Sequence, residues 1–205
     1  SRVLKYLAMG DPVFHAVRAK RRIEFLGLAP LRPDVVRDFY SLMLKSIQQV
    51  DLLGSWVPGE NFVQEHMKTT LFCPLLELEP FRHKPPWSRA LAGKKVLVVH
   101  PFQTSIRTQY HEKRTRLFED ASVLPPFDLV TYVPAQAHFG EVRGARHWFQ
   151  VLNQMCLDIN RIDFEVAIVG AGPFGLPLAA HIKSIGKQAI HLGGATQLLF
   201  GISGK

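Results

Sequence analysis

Three glycines stand at G-x-G-x-x-G spacing in "VAIVGAGPFGLPLAAHIKSIGKQAIHLGG" (166–194): Gly170, Gly172 and Gly175. The stretch reads as strand, turn, helix and strand. In such a turn glycine lets the chain bend tightly, lets a ligand approach the backbone, and lets the helix pack close to its strand. The helix N-terminus then presents unpaired N–H groups and the positive end of its dipole, for which an anion such as phosphate is the natural guest. Pro173 and Phe174 fall inside the turn and make it bulkier. Gly193 and Gly194 close the next strand and join the candidate nucleotide-binding set.

A nicotinamide or flavin dinucleotide is one candidate guest. It wants an acid at the end of the following strand to hold the ribose hydroxyls. That strand is "QAIHLGG", and no Asp or Glu follows Glu165. The dinucleotide fingerprint also ordinarily opens its domain, whereas only 30 residues follow Gly175. A mononucleotide or a nucleotide-sugar diphosphate fits better; a turn that serves structure alone is the other reading. The missing carboxylates also leave no oxygen ligand for Mg²⁺ or Mn²⁺ in this stretch. His181 and His191 alone make a poor metal site, so no metal ligands are expected.

His100 and His191 each end an apolar strand, in "KVLVVH" and "QAIH". In open α/β sheets that edge is where ligands bind. "HPFQTSIRTQY" adds Arg107, whose planar fork could clamp a phosphate; the plainer reading is a salt-bridged arginine on a surface helix. His181 lies well inside its helix and reads as an ordinary half-buried side chain. No G-x-S-x-G elbow and no H-E-x-x-H occurs, which leaves a hydrolase triad or a zincin site without support.

The elements that would position these residues follow from hydrophobic periodicity. Residues 1–50 read as mainly helical. Asp11-Pro12 makes a helix start, and "RPDVVRDFYSLMLKSIQQV" puts Val35, Val36, Phe39, Leu42, Met43 and Ile47 on one face. "DLLGSWVPGE" reads as a short strand and turn. Residues 61–92 are ambiguous, with helix-like "NFVQEHMK" and a proline-rich stretch expected to loop over the surface. From Lys95 apolar strands alternate with amphipathic helices: "KVLVVH", "SIRTQYHEKRTRLFE", "FDLVTYVP", "RHWFQVLNQMCLDIN", "EVAIVGAG", "PFGLPLAAHIKSIG", "QAIHLGG". Apolar strands in alternation with helices predict an α/β fold, a Rossmann-like, mostly parallel sheet covered on both faces, over 94–202. The whole of 1–205 reads as one domain with a helical N-terminal part. The chain opens on Ser1 without a Met, which suggests a piece excised from a longer protein.

Apolar residues make up 47% of the chain and charged residues 20%, a globular balance. No apolar run is long enough to span a bilayer. Cys73 and Cys156 have apolar neighbours and read as reduced thiols of a cytoplasmic protein. The formal net charge of +8 suits an anionic partner such as a nucleotide phosphate or an acidic membrane surface. No zinc-finger, helix-turn-helix or aromatic-interleaved RNA motif appears, so no specific nucleic acid is expected.

The order of "HPF", "VPAQ", G-x-G-x-x-G-x-P-L-A and "AIHLGG" resembles proteins encoded in bacterial surface-polysaccharide loci. Across roughly residues 4–202 the chain is more distantly similar to GT-D-fold glycosyltransferases. The resemblance implies transfer of a sugar from a nucleotide-sugar donor, UDP-linked in expectation, to a glycan or lipid-linked glycan acceptor of O-antigen or capsule. It implies a cytoplasmic protein, with peripheral contact at the inner membrane. "MGDPVF" corresponds to the family's early Gly-Asp-Gly-Glu turn, with Gly10 and Asp11 matching, and this nominates Asp11 as the base. Glu60, His100 and His191 are the other candidates for taking a proton from the acceptor hydroxyl; for Asp11 a helix cap, and for Glu60 a plain turn, are the bland readings. Where the family carries an acid-x-acid metal motif, this chain has "GGATQLLFG", with Thr196 and Leu198 near the acidic positions. No tightly bound cofactor is implied, and the donor diphosphate would lie at Gly170–Gly175 with Arg107 balancing its charge. Two other readings stay open: an NAD(P)-binding oxidoreductase, and a non-catalytic partner that binds nucleotide sugars or glycan.

Overall fold

The computed structural model describes residues 33–56, 60–61, 63–135 and 145–203. The expected helices of 1–30, and Asp11 with them, lie outside these residues. The fold class is as the periodicity predicts. Four strands, β3 (Lys95–Val99), β4 (Asp128–Tyr132), β5 (Val166–Val169) and β6 (Gln188–His191), form one sheet in the order β4-β3-β5-β6. Every neighbouring pair in it is parallel.

Because strand side chains alternate, each central strand feeds two cores. Leu97 and Val99 of β3 and Ala167 and Val169 of β5 face one layer. It is made by α1 (Pro33–Ile47), α3 (Ala145–Asn160) and α4 (Gly175–Ser184). Val96, Val98, Val166 and Ile168 face the other, with α2 (Gln103–Thr108) and α5 (Ala195–Leu199). Both layers exclude water, which is why these strands are continuously apolar. α1 begins on Pro33 with Asp34 in its first turn and carries Lys45 in its last, each matched to the helix dipole.

β1 (Leu52–Ser55) confirms the short strand read in "DLLGSWVPGE". It pairs in parallel with β2 (Leu71–Pro74), a strand the sequence pattern does not announce. The pair is anchored by Leu53, which packs with Ile47, Val63 and Met67 against Leu176 of α4. Lys183 of α4 adds a second tie, donating to the Gln49 carbonyl and the Asp51 carboxylate, each at 2.7 Å.

Three expectations need correction. "NFVQEHMK" forms no α-helix among the described residues: Gln64–His66 is a single 3-10 turn. The proline-rich stretch is more than a surface loop: Leu91 is core, and the fully buried Ser88 hydroxyl donates to the Val123 carbonyl at 2.6 Å. The long helix read in "SIRTQYHEKRTRLFE" is broken. α2 gives way to a π-turn, Gln109–Lys113, and a 3-10 turn, Arg114–Arg116. The widened turn lets two side chains reach the same backbone segment. Tyr110 donates to the Phe127 carbonyl at 2.8 Å and accepts the Phe127 N–H at 2.6 Å, while Arg114 donates to the Leu124 carbonyl at 3.3 Å.

Candidate functional site

The chain runs from β3 outward to β4, then returns to the other side of β3 and proceeds through β5 to β6. The order therefore reverses between β3 and β5, and in open α/β sheets the crevice past the carboxyl ends at that reversal receives ligands. His100 and Gly170 are the first residues beyond the two strands. Both still belong to the ladder: His100 N–H donates to Tyr132 at 3.1 Å, and Gly170 N–H to Val99 at 2.8 Å. Gly193 does the same from β6, donating to Val169 at 3.2 Å.

The glycines divide by what surrounds them. A Cβ on Gly170 would lie 2.6 Å from His100 Cδ2, 2.8 Å from the Gly193 carbonyl oxygen and 2.9 Å from Thr196 Oγ1. A Cβ on Gly175 would lie 2.1 Å from His191 Nε2. These two are glycine because other parts of the protein occupy the space. Gly172 and Gly193 have positive φ, +53° and +57°, and open space where a Cβ would stand. Gly194 has ordinary helical φ of −64° and open space too. The rim around Gly172, Gly193 and Gly194 is where a ligand could approach the backbone.

Donor groups on this rim can be counted. Phe174 N–H is used by the Ala171 carbonyl and Gly175 N–H by the Gly172 carbonyl. Pro173 and Pro177 carry no N–H. The N–H groups of Ala171, Gly172 and Gly194 have no protein partner among the described residues. Phe174 points the other way. It is fully buried, stacked on Trp148 with centroids 4.8 Å apart, and so ties the turn to the core.

His100 is 5% exposed, and its Nδ1 accepts the Phe102 N–H at 3.1 Å. Its Nε2 has no partner among the described residues. Burial lowers its pKa, so the ring is neutral at pH 7. His191 borders the same rim. The residue is solvent-exposed, and its ring packs against Gly175 at the start of α4. Desolvation there pushes its pKa down to about 4, so His191 too is neutral at pH 7.

The remaining expected residues fall elsewhere. Arg107 is exposed on α2 and makes no ion pair among the described residues. It lies two positions from Gln109, hence on the opposite side of the helix. Gln109 is the residue that reaches the α5 end, donating to Gly201 at 3.4 Å. Glu60 closes the turn after β1, accepting from the Ser55 hydroxyl and, at 3.1 Å, from the Trp56 N–H. His181 meets Asn160 Oδ1 at 2.8 Å between α4 and α3. Burial raises the Cys156 thiol to about 11, which leaves it unreactive at neutral pH.

Thr196 is the site residue that the pattern did not single out as a contact. It is fully buried, and its hydroxyl has no partner among the described residues. The signals in the sequence are its place two residues past Gly194 and its correspondence to an acidic position of the resembled family's metal motif.

Among the described residues no three His, Cys, Asp or Glu side chains converge as a metal site, and no helix is long and apolar enough to cross a membrane. Comparison with models of protein families, with curated proteins and with solved structures gives no match.

Proposed function

We propose that this protein transfers a sugar from a nucleotide-sugar donor to a glycan or lipid-linked glycan acceptor in bacterial polysaccharide assembly. One observation carries the reading. "HPF", "GAGPFG" and "HLGG", motifs far apart in sequence, meet at the reversal point of a parallel sheet, with Gly170 packed against His100, Gly193 and Thr196. The donor diphosphate would lie on the rim of Gly172, Gly193 and Gly194. The free N–H groups of Ala171, Gly172 and Gly194 would balance its charge, and fixed dipoles of this kind stabilise a leaving phosphate at no cost of reorganisation. Arg107, exposed on α2 and without an ion pair among the described residues, would add its positive charge to theirs. The proton acceptor is Asp11, by the family resemblance, or His191, whose neutral ring borders the rim.

A specific observation favours a second reading, non-catalytic binding of a nucleotide sugar. The loops after β3, β5 and β6 carry no carboxylate, and the lowered pKa of His191 makes it a weak base. An oxidoreductase has less support, because no acid stands at the end of β6.

The test is a thermal-shift panel of UDP, GDP, CMP and NAD, with and without Mn²⁺. A ligand at a hundred times its Kd stabilises by about 2.7 kcal/mol. For a chain of this size that raises Tm by roughly 5–10 °C. A shift with UDP and none with NAD is the expected result. A shift with NAD alone, or quenched NADH fluorescence on titration, overturns the proposal. UDP binding with no transfer or donor hydrolysis selects the second reading.

A further inference from the structure

His100 is the one ring at the reversal point whose protonation the backbone dictates. The Phe102 amide hydrogen is fixed by peptide geometry and is directed at His100 Nδ1, 3.1 Å away. Nδ1 must therefore offer a lone pair, and in a neutral ring the proton then sits on Nε2. An imidazolium would turn a second hydrogen against the Phe102 N–H, so this contact also opposes protonation. The Cδ2–Nε2 edge of the ring is the edge turned to Gly170, since Cδ2 is the atom nearest that glycine's missing Cβ. Nε2 is not one of the enclosed atoms that lack a partner, so the little surface His100 retains includes it.

From this geometry we infer that His100 donates a hydrogen bond, through Nε2–H, to an anionic oxygen of the ligand seated between β3 and β5, a phosphate oxygen of a nucleoside diphosphate, and does not act as a base. The inference rests on the proposed nucleotide site for the identity of its ligand, but the proton's position does not depend on that reading. A donor of this kind is useful where anionic charge grows. It is held in place before the ligand arrives, and being neutral it carries no counter-charge that must be desolvated. The groups around the ring fit the role. From the β5 loop comes Gly170, around which the Gly193 carbonyl and the Thr196 hydroxyl of α5 also gather, and beside the ring stands the Phe102 side chain. None of these carries charge at neutral pH. The Tyr132 phenol is bonded to Asp158 at 2.9 Å and stays protonated.

The experiment is ¹⁵N correlation NMR of histidine-labelled protein, in which each ring reports which nitrogen carries the proton. Free protein at pH 7 should show His100 neutral with the proton on Nε2. Titration with UDP, and separately with inorganic pyrophosphate, should move the Nε2 signal with no change in the ring's charge. His100→Ala should weaken UDP binding about ten- to hundred-fold, the range for a hydrogen bond to a charged group. His100→Gln, which places an amide N–H near Nε2, should recover most of that loss. Wild-type affinity should be flat from pH 7 to pH 9. A proton on Nδ1, or a doubly protonated ring at pH 7, overturns the inference, whatever the variants do. So does a His100 signal that neither anion moves, even where UDP binds elsewhere. Pyrophosphate moving Nε2 while UDP fails to bind upholds the donor and removes the nucleotide reading.

Discussion

Replacing Gly170 with alanine adds a single methyl group at the most crowded point of the edge. The added carbon would meet three atoms at under 3 Å, from three different elements. None can yield easily. The His100 ring is held by the Phe102 N–H, the Gly193 oxygen is backbone, and Thr196 is fully buried on α5. Overpacking of a tight site costs about 1–3 kcal/mol. With backbone among the displaced atoms, the upper half of that range applies. The expected loss is about 2–3 kcal/mol, or a fall in Tm of roughly 5–10 °C for a chain of this length. Urea unfolding followed by circular dichroism should show a lower midpoint with an unchanged slope. Gly194→Ala is the control, because its Cβ meets nothing and its φ is −64°. It should lie within about 0.5 kcal/mol of wild type. A Gly170→Ala protein that melts within about 2 °C of wild type would refute the packing argument, and with it the claim that the reversal point is closed by protein.

Gly175→Ala should displace the ring of the solvent-exposed His191 at a smaller cost of about 1 kcal/mol; nuclear Overhauser contacts between His191 and α4 should vanish, and their survival contradicts the reading. Gly194→Val should weaken UDP binding at least ten-fold with Tm nearly unchanged; equal affinity removes the rim as the ligand's seat. Arg107→Ala should weaken UDP binding about ten-fold or more, and an affinity within about two-fold of wild type removes Arg107 from the site. For His191 the folded pKa lies below its ordinary value, so the unfolded chain binds the proton first and stability falls as pH drops from about 6.5 towards 4. A fully enclosed ring would forfeit about 3 kcal/mol across that window. Solvent around this exposed residue cuts this to about 1 kcal/mol. Wild type should lose that much more than His191→Asn between pH 7.5 and pH 4.5, and parallel curves would show the ring to be well hydrated.

The parallel sheet was legible because its strands are short, its central pair is almost wholly apolar, and strongly periodic helices separate them. β2 was not, because "LFCP" leaves most of its residues exposed and has neither alternation nor a buried run. α5 spans too few residues to establish a helical period. The break after α2 was hidden for a different reason. Ile106, Tyr110 and Leu117 do keep apolar spacing, but the hydroxyl of Tyr110 is claimed by Phe127, a tertiary bond that no local pattern encodes. At the site the same division holds. The loop glycines and both strand-end histidines were visible as types in sequence. What each glycine is for was not, since Gly170 and Gly175 answer to His100 and His191 and only Gly172, Gly193 and Gly194 open outward.

The crowding at Gly170 also fixes the mechanics of this edge. Where only a hydrogen atom fits between three elements, those elements cannot be drawn closer together. The floor of the crevice is therefore an anvil: a ligand must match its shape on arrival, and any closing movement has to be made at its border. The border has the freedom for it, in the left-handed turns at Gly172 and Gly193 with empty space beside them. For a ligand that reached this floor, selectivity would be set before binding, and any adjustment would fall to the margin at Gly172 and Gly193.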